Sequence, residues 1–222
     1  MNSEAWQSWY HRKEGTVEPE IPRLGELLED ISASKILDFG CGAGRHVVYF
    51  AKKGFEVYGF DASETGIARA KEVLRSENLC ADLRVWDMTK PLPYEDSFFD
   101  AVLATKVMHH TYMDNIKRIV KEIDRVLKKG GYLFLQVSAF SHEETLKWKQ
   151  EGLKSEEPEP RTYIYSQGEE KGIPHHHFTK EELLGLFVNY SIEEIHCATE
   201  HYRGYCLIAR KMNNARFMKG VH

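Results

Sequence analysis

Apolar positions near the start of the chain follow two different periods, and the change of period predicts a strand, a helix and a second strand. Residues 36–39 form a short, mostly apolar run that stops at the glycine-rich turn Gly40-Cys41-Gly42-Ala43-Gly44. From Val47, apolar residues cluster on one side of a predicted helix, and residues 55–60 form a second mostly apolar run. A strand, a tight turn, a helix and a strand make a βαβ unit, in which the two strands run parallel.

The alternation of periods continues through the rest of the chain. Apolar spacing and the capping patterns at Ser63 and Thr179 predict further helices and strands. The predicted helices cover residues 64–76 and 116–127 and a segment that begins after Thr179, and the predicted strands cover residues 98–104, 132–137, 192–198 and 202–209. We expect the last two strands to pair antiparallel.

The glycine-rich turn lies where α/β proteins bind ligands, because such ligands occupy the carboxyl ends of parallel strands. A dinucleotide-binding turn would need a third glycine where Arg45 or Val47 stands. Asp38 precedes the turn and Asp61 ends the second predicted strand. A carboxylate before the turn repels a pyrophosphate and attracts a cationic ligand. The pattern therefore disfavours a nicotinamide-dependent oxidoreductase, which is the weaker alternative.

The motifs D-F-G-C-G-A-G (residues 38–44) and V-Y-G-F-D-A-S (residues 57–63) resemble the cofactor signature of class I S-adenosylmethionine-dependent methyltransferases. The resemblance continues through residues 83–88, 97–102 and 125–135, and the group it points to is the small-molecule, type 11/25-like methyltransferase domains. It implies an α/β, doubly wound, Rossmann-like fold with a mixed sheet of roughly seven strands, one of them antiparallel, and helices on both faces. It also implies that S-adenosyl-L-methionine is the cofactor.

The resemblance implies a role for each motif residue. Asp38 would orient the ammonium group of the cofactor, Asp61 would accept hydrogen bonds from the ribose hydroxyls, and Asp87 would accept one from the adenine amine. The other implied cofactor contacts come from Gly40, Gly42, Gly44, Ala62, Trp86, Met88 and Thr105. Each aspartate has a simpler alternative, because an aspartate at the end of a strand often caps the next helix or bonds a turn.

The candidate catalytic residues follow the predicted strand of residues 98–104, which corresponds to the fourth strand of the family. The family places acceptor-side residues after that strand. His109 and His110 lie there, and a histidine near neutral pKa could remove a proton from a hydroxyl or thiol acceptor. Their alternative role is that of a helix cap or a packed side chain, and Tyr10 and Tyr112 are weaker candidates. A dedicated base is not essential, because positioning and exclusion of water can carry much of the rate of methyl transfer.

The run His175-His176-His177, together with His142 in the same segment, raises the question of a metal site. Neighbouring side chains on an extended segment point to opposite sides, so only His175 and His177 could converge. No nearby carboxylate has a recognised ligand spacing. We therefore expect no metal, and we expect this run to line the acceptor pocket.

Motifs that the chain lacks narrow the acceptor class. Amino-methylating nucleic-acid enzymes of the superfamily carry Asp or Asn, Pro-Pro and an aromatic residue where this chain has Ala-Thr-Lys-Val at residues 104–107. Cytosine C5 enzymes need a Pro-Cys pair, which the sequence does not contain. The net charge of -4 is also unlike that of a nucleic-acid-binding domain. We expect a small-molecule O, N or S acceptor and no DNA partner, with protein or RNA methylation, or a non-catalytic cofactor-binding module, as alternatives.

Length and composition predict a single methyltransferase domain, because 222 residues with 42% hydrophobic content can bury one sizeable core. Its expected parts are an N-terminal helical segment (1–34), a cofactor-binding core (35–138), a lid or acceptor-side insertion (140–178), a C-terminal helix and strand pair (179–211) and a tail (212–222). The insertion would be an uncommonly long irregular loop. Tyr163, Tyr165 and the histidine run favour a lid, and the alternative is an acidic, solvated excursion.

The aromatic, apolar and cysteine residues indicate how the N-terminal segment packs and in which compartment the protein occurs. Trp6, Trp9 and Tyr10 at helical spacing would either fold over the cofactor or pack against the edge of the sheet. No signal segment is visible, and no apolar stretch reaches the about 20 residues that span a bilayer. The cysteines have no C-x-x-C spacing, so we expect reduced thiols. We expect a cytoplasmic monomer or homodimer without membrane contact.

Overall fold

The computed structural model of the protein describes residues 16–143, 154–168, 170–197 and 203–213. Its strands are β1 Lys35–Phe39, β2 Glu56–Asp61, β3 Asp82–Val85, β4 Phe99–Thr105, β5 Leu127–Ser138, β6 Ser155–Glu159, β7 Thr162–Tyr165, β8 Pro174–His176, β9 Tyr190–Cys197 and β10 Gly204–Lys211. Its helices are α1 Ile21–Asp30, α2 Arg45–Lys52, α3 Glu64–Ser76, α4 Met113–Val126 and α5 Lys180–Leu186.

Seven of these strands form one mixed sheet in the spatial order β3-β2-β1-β4-β5-β10-β9. The pairs from β3 to β5 are parallel, whereas β10 runs antiparallel to both β5 and β9. The sheet therefore contains one strand that runs against the others. This arrangement confirms the mixed α/β sheet and the antiparallel C-terminal pair that the sequence predicts.

Helices cover both faces of the sheet. On one face, α1, α2 and α3 pack through Leu24, Phe50 and Ile67 among others. On the other face, α4 and α5 contribute Ile119 and Leu183 to a second core cluster. Neighbouring residues of the central strands divide between the two clusters, because successive side chains of a strand point to opposite faces. Burial on both faces explains why these strands are nearly continuous apolar runs.

The helix ends mostly follow the predicted signals. Helix α3 has the predicted bounds, and the Oγ atom of Ser63 caps it by accepting a hydrogen bond from the amide of Gly66 at 3.1 Å. Thr179 caps α5 in the same way, through the amide of Glu182 at 3.2 Å. Helix α4 ends one residue before the predicted end, because Leu127 pairs with Phe99 and starts β5.

The insertion differs from its prediction. Residues 140–178 contain a small antiparallel sheet in the order β6-β7-β8, in which Thr162 pairs with His176 and Tyr163 pairs with His175. The prediction of one irregular loop is therefore wrong for the described part of this segment. The edge strand β6 is largely exposed and reads Ser-Glu-Glu-Pro-Glu, so no apolar alternation marks it in the sequence.

The predictions for Trp6, Trp9 and Tyr10 lie outside the described residues, and so do residues 214–222 of the tail. Among the residues that the structure does describe, no helix has both the length and the apolar character needed to cross a membrane.

Candidate functional site

Four neighbouring parallel strands end at the same edge of the sheet, and this edge holds the predicted cofactor residues. Asp61 ends β2, and Asp87 follows β3. The glycine turn of residues 40–44 follows β1, and Thr105 ends the adjacent strand β4. The structure therefore brings together, at one edge, residues that are far apart in the sequence.

Gly40 and Gly44 give the turn a shape that other residues would strain. Gly40 has φ +75°, and a Cβ atom there would lie 2.4 Å from Cγ2 of Val107. Gly44 has φ +84°, and a Cβ atom there would lie 2.8 Å from the Cβ of Ala70. Residues that carry a side chain rarely adopt these positive φ angles. The fold itself therefore requires both glycines, apart from any contact with a ligand.

The carboxylate of Asp61 connects this turn to the start of α3 by hydrogen bonds. It is 8% exposed, and it accepts hydrogen bonds from the amide of Gly42 at 3.0 Å and from the amide of Ser63 at 2.8 Å. The half-buried Ala62 lies between Asp61 and Ser63 in the chain. The simpler role considered for Asp61, bonding a turn, is thus present. It is compatible with a ligand, because each carboxylate oxygen can accept more than one hydrogen bond.

Asp87 follows β3 and makes a similar local contact. Its Oδ1 accepts hydrogen bonds from the amide and the hydroxyl of Thr89, each at 2.8 Å. Burial alone would raise the pKa of Asp87, but the two bonds from Thr89 outweigh it and lower the pKa. On either side, Met88 is buried in the core and Trp86 is half-buried against it. The Nε1 atom of Trp86 has no hydrogen-bond partner among the described residues.

Asp38 lies at the centre of a buried charge network. Its side chain is 2% exposed, and Nδ1 of His46 is 3.7 Å from its Oδ2. The opposite ring nitrogen of His46 lies 2.5 Å from Oε2 of Glu18. Oε1 of Glu18 accepts a hydrogen bond from Arg45 at 2.8 Å and lies 3.5 Å from the Lys106 amine.

These contacts shift the pKa values of the network in opposite directions. Burial alone would raise the pKa of Glu18, but the hydrogen bond and charge of His46, with the charges of Arg45 and Lys106, lower it to about 2. Burial alone would lower the pKa of His46, but its contacts with Asp38 and Glu18 raise it. The carboxyl end of β1 is therefore a region of buried, paired charges.

A cluster of histidines lies beyond the carboxyl end of β4. His109 and His110 follow this strand, and His175 of β8 packs against them with ring centroids 6.2 and 4.7 Å away. The centroids of the first two rings are 4.1 Å apart. A hydrogen bond of 2.8 Å from the amide of His176 to the carbonyl of His109 joins the two segments. We call His109, His110 and His175 the histidine cluster.

The histidine cluster is buried and uncharged. Burial and the neighbouring histidines lower the pKa of His110 to about 3 and that of His175 to about 4, and they hold the pKa of His109 well below its usual value. These rings are neutral imidazoles at neutral pH and weak proton acceptors. The pKa values of these rings thus lie below the near-neutral value considered for a catalytic base.

The other histidines of the run have different surroundings. His176 points away from the cluster, and its ring nitrogens lie 2.8 Å from the hydroxyl of Thr162 and 3.0 Å from Oε2 of Glu182. The Nε2 atom of His177 lies 3.2 Å from the hydroxyl of Tyr165. Tyr112, a weaker candidate, is 37% exposed at the start of α4.

Sequence reasoning missed Glu18, His46 and the approach of His175 to His109 and His110. His46 directly follows the glycine turn and Arg45, so its position beside Asp38 could have been inferred from the βαβ unit. No sequence pattern marks Glu18. The histidine contact depends on how the insertion folds back, which periodicity does not reveal.

Residues 37–135 match the family model described as a methyltransferase domain, a range that includes the carboxyl ends of β1 to β4. A tRNA (carboxymethyluridine(34)-5-O)-methyltransferase of Arabidopsis thaliana is 33% identical over 126 residues, which are 56% of this chain and 29% of that protein. A sarcosine/dimethylglycine N-methyltransferase of Aphanothece halophytica is 31% identical over 114 residues, which are 50% of this chain and 40% of that protein. The chain spans half or less of the length of the curated relatives it matches.

Solved structures extend the similarity over most of the chain. A structure from Methanosarcina mazei, described as a S-adenosylmethionine-dependent methyltransferase, has a TM-score of 0.71 and 25% identity. The alignment covers 89% of this chain and 99% of that one. It therefore extends beyond the range of the family model.

Proposed function

Because the chain carries a class I S-adenosylmethionine-dependent methyltransferase domain, we propose that the protein transfers a methyl group from S-adenosylmethionine to a small-molecule acceptor. One observation carries this proposal: Asp38, Asp61 and Asp87 lie at the carboxyl ends of three adjacent parallel strands, beside a glycine turn. A nucleoside ligand of an open α/β sheet binds at such an edge.

The residues at this edge fit the cofactor chemically. The Oδ2 atom of Asp38 is buried and has no hydrogen-bond partner among the described residues, which suits the ammonium group of S-adenosylmethionine. We assign the ribose hydroxyls to Asp61 and the adenine amine to Asp87, since carboxylates are acceptors. The remaining cofactor contacts are assigned to the backbone of Gly40, Gly42 and Gly44 and to Ala62, Trp86, Met88 and Thr105.

When bound, S-adenosylmethionine supplies an electrophilic methyl group on a sulfonium. The chain's own residues must then hold the acceptor in line behind that methyl group and exclude water. We assign His109 and His110 to the acceptor side, because they are buried and follow β4 at the same edge. As neutral imidazoles they orient the acceptor by hydrogen bonds.

Three observations support a small-molecule acceptor. The histidines that we assign to the acceptor side are buried, which suits a ligand small enough to be surrounded by protein. The relative from Aphanothece halophytica acts, by its name, on sarcosine and dimethylglycine. The net charge of -4 also gives little attraction for phosphate backbones.

An RNA acceptor is the second candidate, and the relative from Arabidopsis thaliana favours it, because its name assigns it a tRNA uridine. The two candidates require different surfaces. A tRNA acceptor needs a basic surface on which the backbone lies, whereas a small molecule needs only a closed pocket. An assay that offers both acceptor classes separates them.

We would incubate the purified protein with S-adenosylmethionine and either fractionated metabolites or total tRNA, and follow methyl mass gain and release of S-adenosylhomocysteine. We expect product only with a metabolite fraction. Product only with tRNA would overturn the small-molecule assignment. Cofactor binding without product in either arm would favour the non-catalytic module, and absence of cofactor binding by calorimetry would overturn the proposed function altogether.

A further inference from the structure

Three buried histidines converge on the acceptor side from two parts of the chain. His109, His110 and His175 are 2%, 5% and 4% exposed. Each can offer one ring nitrogen such that the three nitrogens lie within 4.8 Å of one another. Packing of aromatic rings explains contact between such rings, but it does not require their nitrogens to converge.

A carboxylate lies beside this cluster. Oε2 of Glu170 is 3.4 Å from Nε2 of His175. The Nε2 atom is buried and forms no hydrogen bond with any residue that the structure describes. A carboxylate that contacts a metal-binding histidine is a recurrent partner arrangement in metal sites.

From this geometry we propose that His109, His110 and His175 bind a divalent transition-metal ion beside the acceptor pocket, with Glu170 as their carboxylate partner. Imidazole nitrogens combined with a carboxylate suit zinc, iron, nickel or cobalt rather than magnesium or calcium. Three histidines also leave a coordination position for a further ligand, as in sites where a metal binds a reactant.

The spacing of the nitrogens agrees with a site that closes on an ion. With metal–nitrogen bonds of about 2.0–2.1 Å, tetrahedral geometry places two ligand nitrogens about 3.4 Å apart. The three nitrogens lie within 4.8 Å of one another, so they have to approach by at most about 1.4 Å, which rotations of the side chains can provide. The hydrogen bond between the backbones of His176 and His109 already fixes the two segments at contact distance.

Such an ion would bring a positive charge to the acceptor side, and this consequence rests on the proposed function. A hydroxyl or thiol acceptor held by the ion would lose its proton to solvent more readily. Its oxygen or sulfur would then form the new bond to the methyl carbon as the bond from that carbon to the cofactor sulfur breaks, and the electron pair of the broken bond would stay on the cofactor sulfur.

The binding test uses tag-free protein treated with a chelator and then dialysed, because a histidine tag would bind the probe. Zn²⁺ is titrated by calorimetry, and Co²⁺ is followed by its visible absorption, both without S-adenosylmethionine. We expect one equivalent of metal, a raised Tm, and affinity at least about tenfold weaker in His110→Gln and His175→Gln. His142→Gln, which alters an exposed histidine outside the cluster, should bind like the wild type.

Two outcomes would overturn the site. One is absence of binding by the chelator-treated wild type, and the other is loss of binding in His196→Gln with retention in His175→Gln. The second result would place the ion at Glu20, His196 and Cys206, another set of possible ligands among the described residues. A parallel titration with S-adenosylhomocysteine separates the two proposals, because the cofactor and the metal use different residues and either can fail alone.

Discussion

The proposed cofactor side and the proposed acceptor side lie along one edge of the sheet, yet their buried groups differ in charge. On the cofactor side, Asp38, His46 and Glu18 keep charges buried by pairing them. On the acceptor side, the histidine cluster is equally buried but uncharged. Buried charges need charged partners within the fold even when no ligand is bound. Neutral imidazoles need no such partner, so a bound ligand can bring the only charge.

The largest effect we expect tests whether the glycine turn is fixed by packing. Gly40→Ala places a Cβ atom 2.4 Å from Val107 at φ +75°, so we expect a loss of about 4 kcal/mol in the free energy of unfolding. Gly54→Ala is the matched control, because Gly54 has φ +87° with nothing within 4 Å of the added atom. That variant should lose only about 1 kcal/mol. Equal losses in urea unfolding would show that packing against Val107 is unimportant.

The next effect tests the paired charges on the cofactor side. Glu18→Gln removes the carboxylate beside His46 and Arg45, so we expect a loss of about 3 kcal/mol in the free energy of unfolding at pH 6. Glu29→Gln breaks the exposed contact of Glu29 with Lys53, and it should cost less than about 1 kcal/mol. A similar small loss in both variants would mean that the buried network adds no stability.

The pH dependence of that difference follows from the two shifted pKa values. The folded pKa of Glu18 is lowered from 4.5 to about 2, so its contribution is complete above about pH 4.5 and is lost as the pH falls toward 2. The folded pKa of His46 is raised above 6.5, so its contribution is complete below 6.5 and is lost as the pH rises through the folded value. We expect the stability difference between wild type and Glu18→Gln to be greatest between about pH 4.5 and 6.5. Urea unfolding across pH would measure it, and a flat difference would contradict the pairing.

A binding variant tests the cofactor assignment itself. Asp61→Asn replaces a charged acceptor by an amide, so we expect S-adenosylhomocysteine to bind about 1.5 to 3 kcal/mol more weakly, roughly ten- to a hundredfold. Asp82→Asn alters an aspartate of β3 that pairs with Arg84 of the same strand, and it should leave affinity unchanged. Because Asp61 also holds Gly42 and Ser63, the Tm of each variant has to accompany the calorimetry. An unchanged Kd in a folded Asp61→Asn protein would show that the ribose binds elsewhere.

The smallest effect concerns Asp87. Its carboxylate already accepts two hydrogen bonds from Thr89 and is half-buried, so Asp87→Asn should weaken S-adenosylhomocysteine by only about 1 kcal/mol. Competition between S-adenosylhomocysteine and its inosine analogue, which lacks the exocyclic amine, sharpens the test. The wild type should prefer the amine form, and Asp87→Asn should not. Equal preference in both proteins would remove the adenine contact from Asp87.

The two sides also differ in how far sequence could predict them. Asp38, the glycine turn and Asp61 lie within one βαβ unit, so short-range period and turn chemistry located them at the edge of the sheet. Helix α3 was predicted to the residue, because Ser63 provides an unambiguous cap.

The acceptor side depends on contacts between distant segments. His175 reaches His110 only because β7 and β8 pair and carry it back over the edge, and the exposed strand β6 lacks apolar alternation. Side chains alternate in direction along an extended segment, and His176 does point away from the side of His175. This alternation does not predict that His175 contacts His109. Glu18 was missed for the same reason, since its partners follow the glycine turn far along the chain.

A crystal structure of the complex with S-adenosylhomocysteine tests the central claim most directly, namely that this edge of the sheet binds the cofactor with the histidine cluster on the acceptor side. We expect the ribose hydroxyls within hydrogen-bond distance of Asp61, the ammonium group at Asp38, and the sulfur facing His109 and His110. A nucleoside bound away from Asp61, or a sulfur directed away from the histidines, would contradict the account.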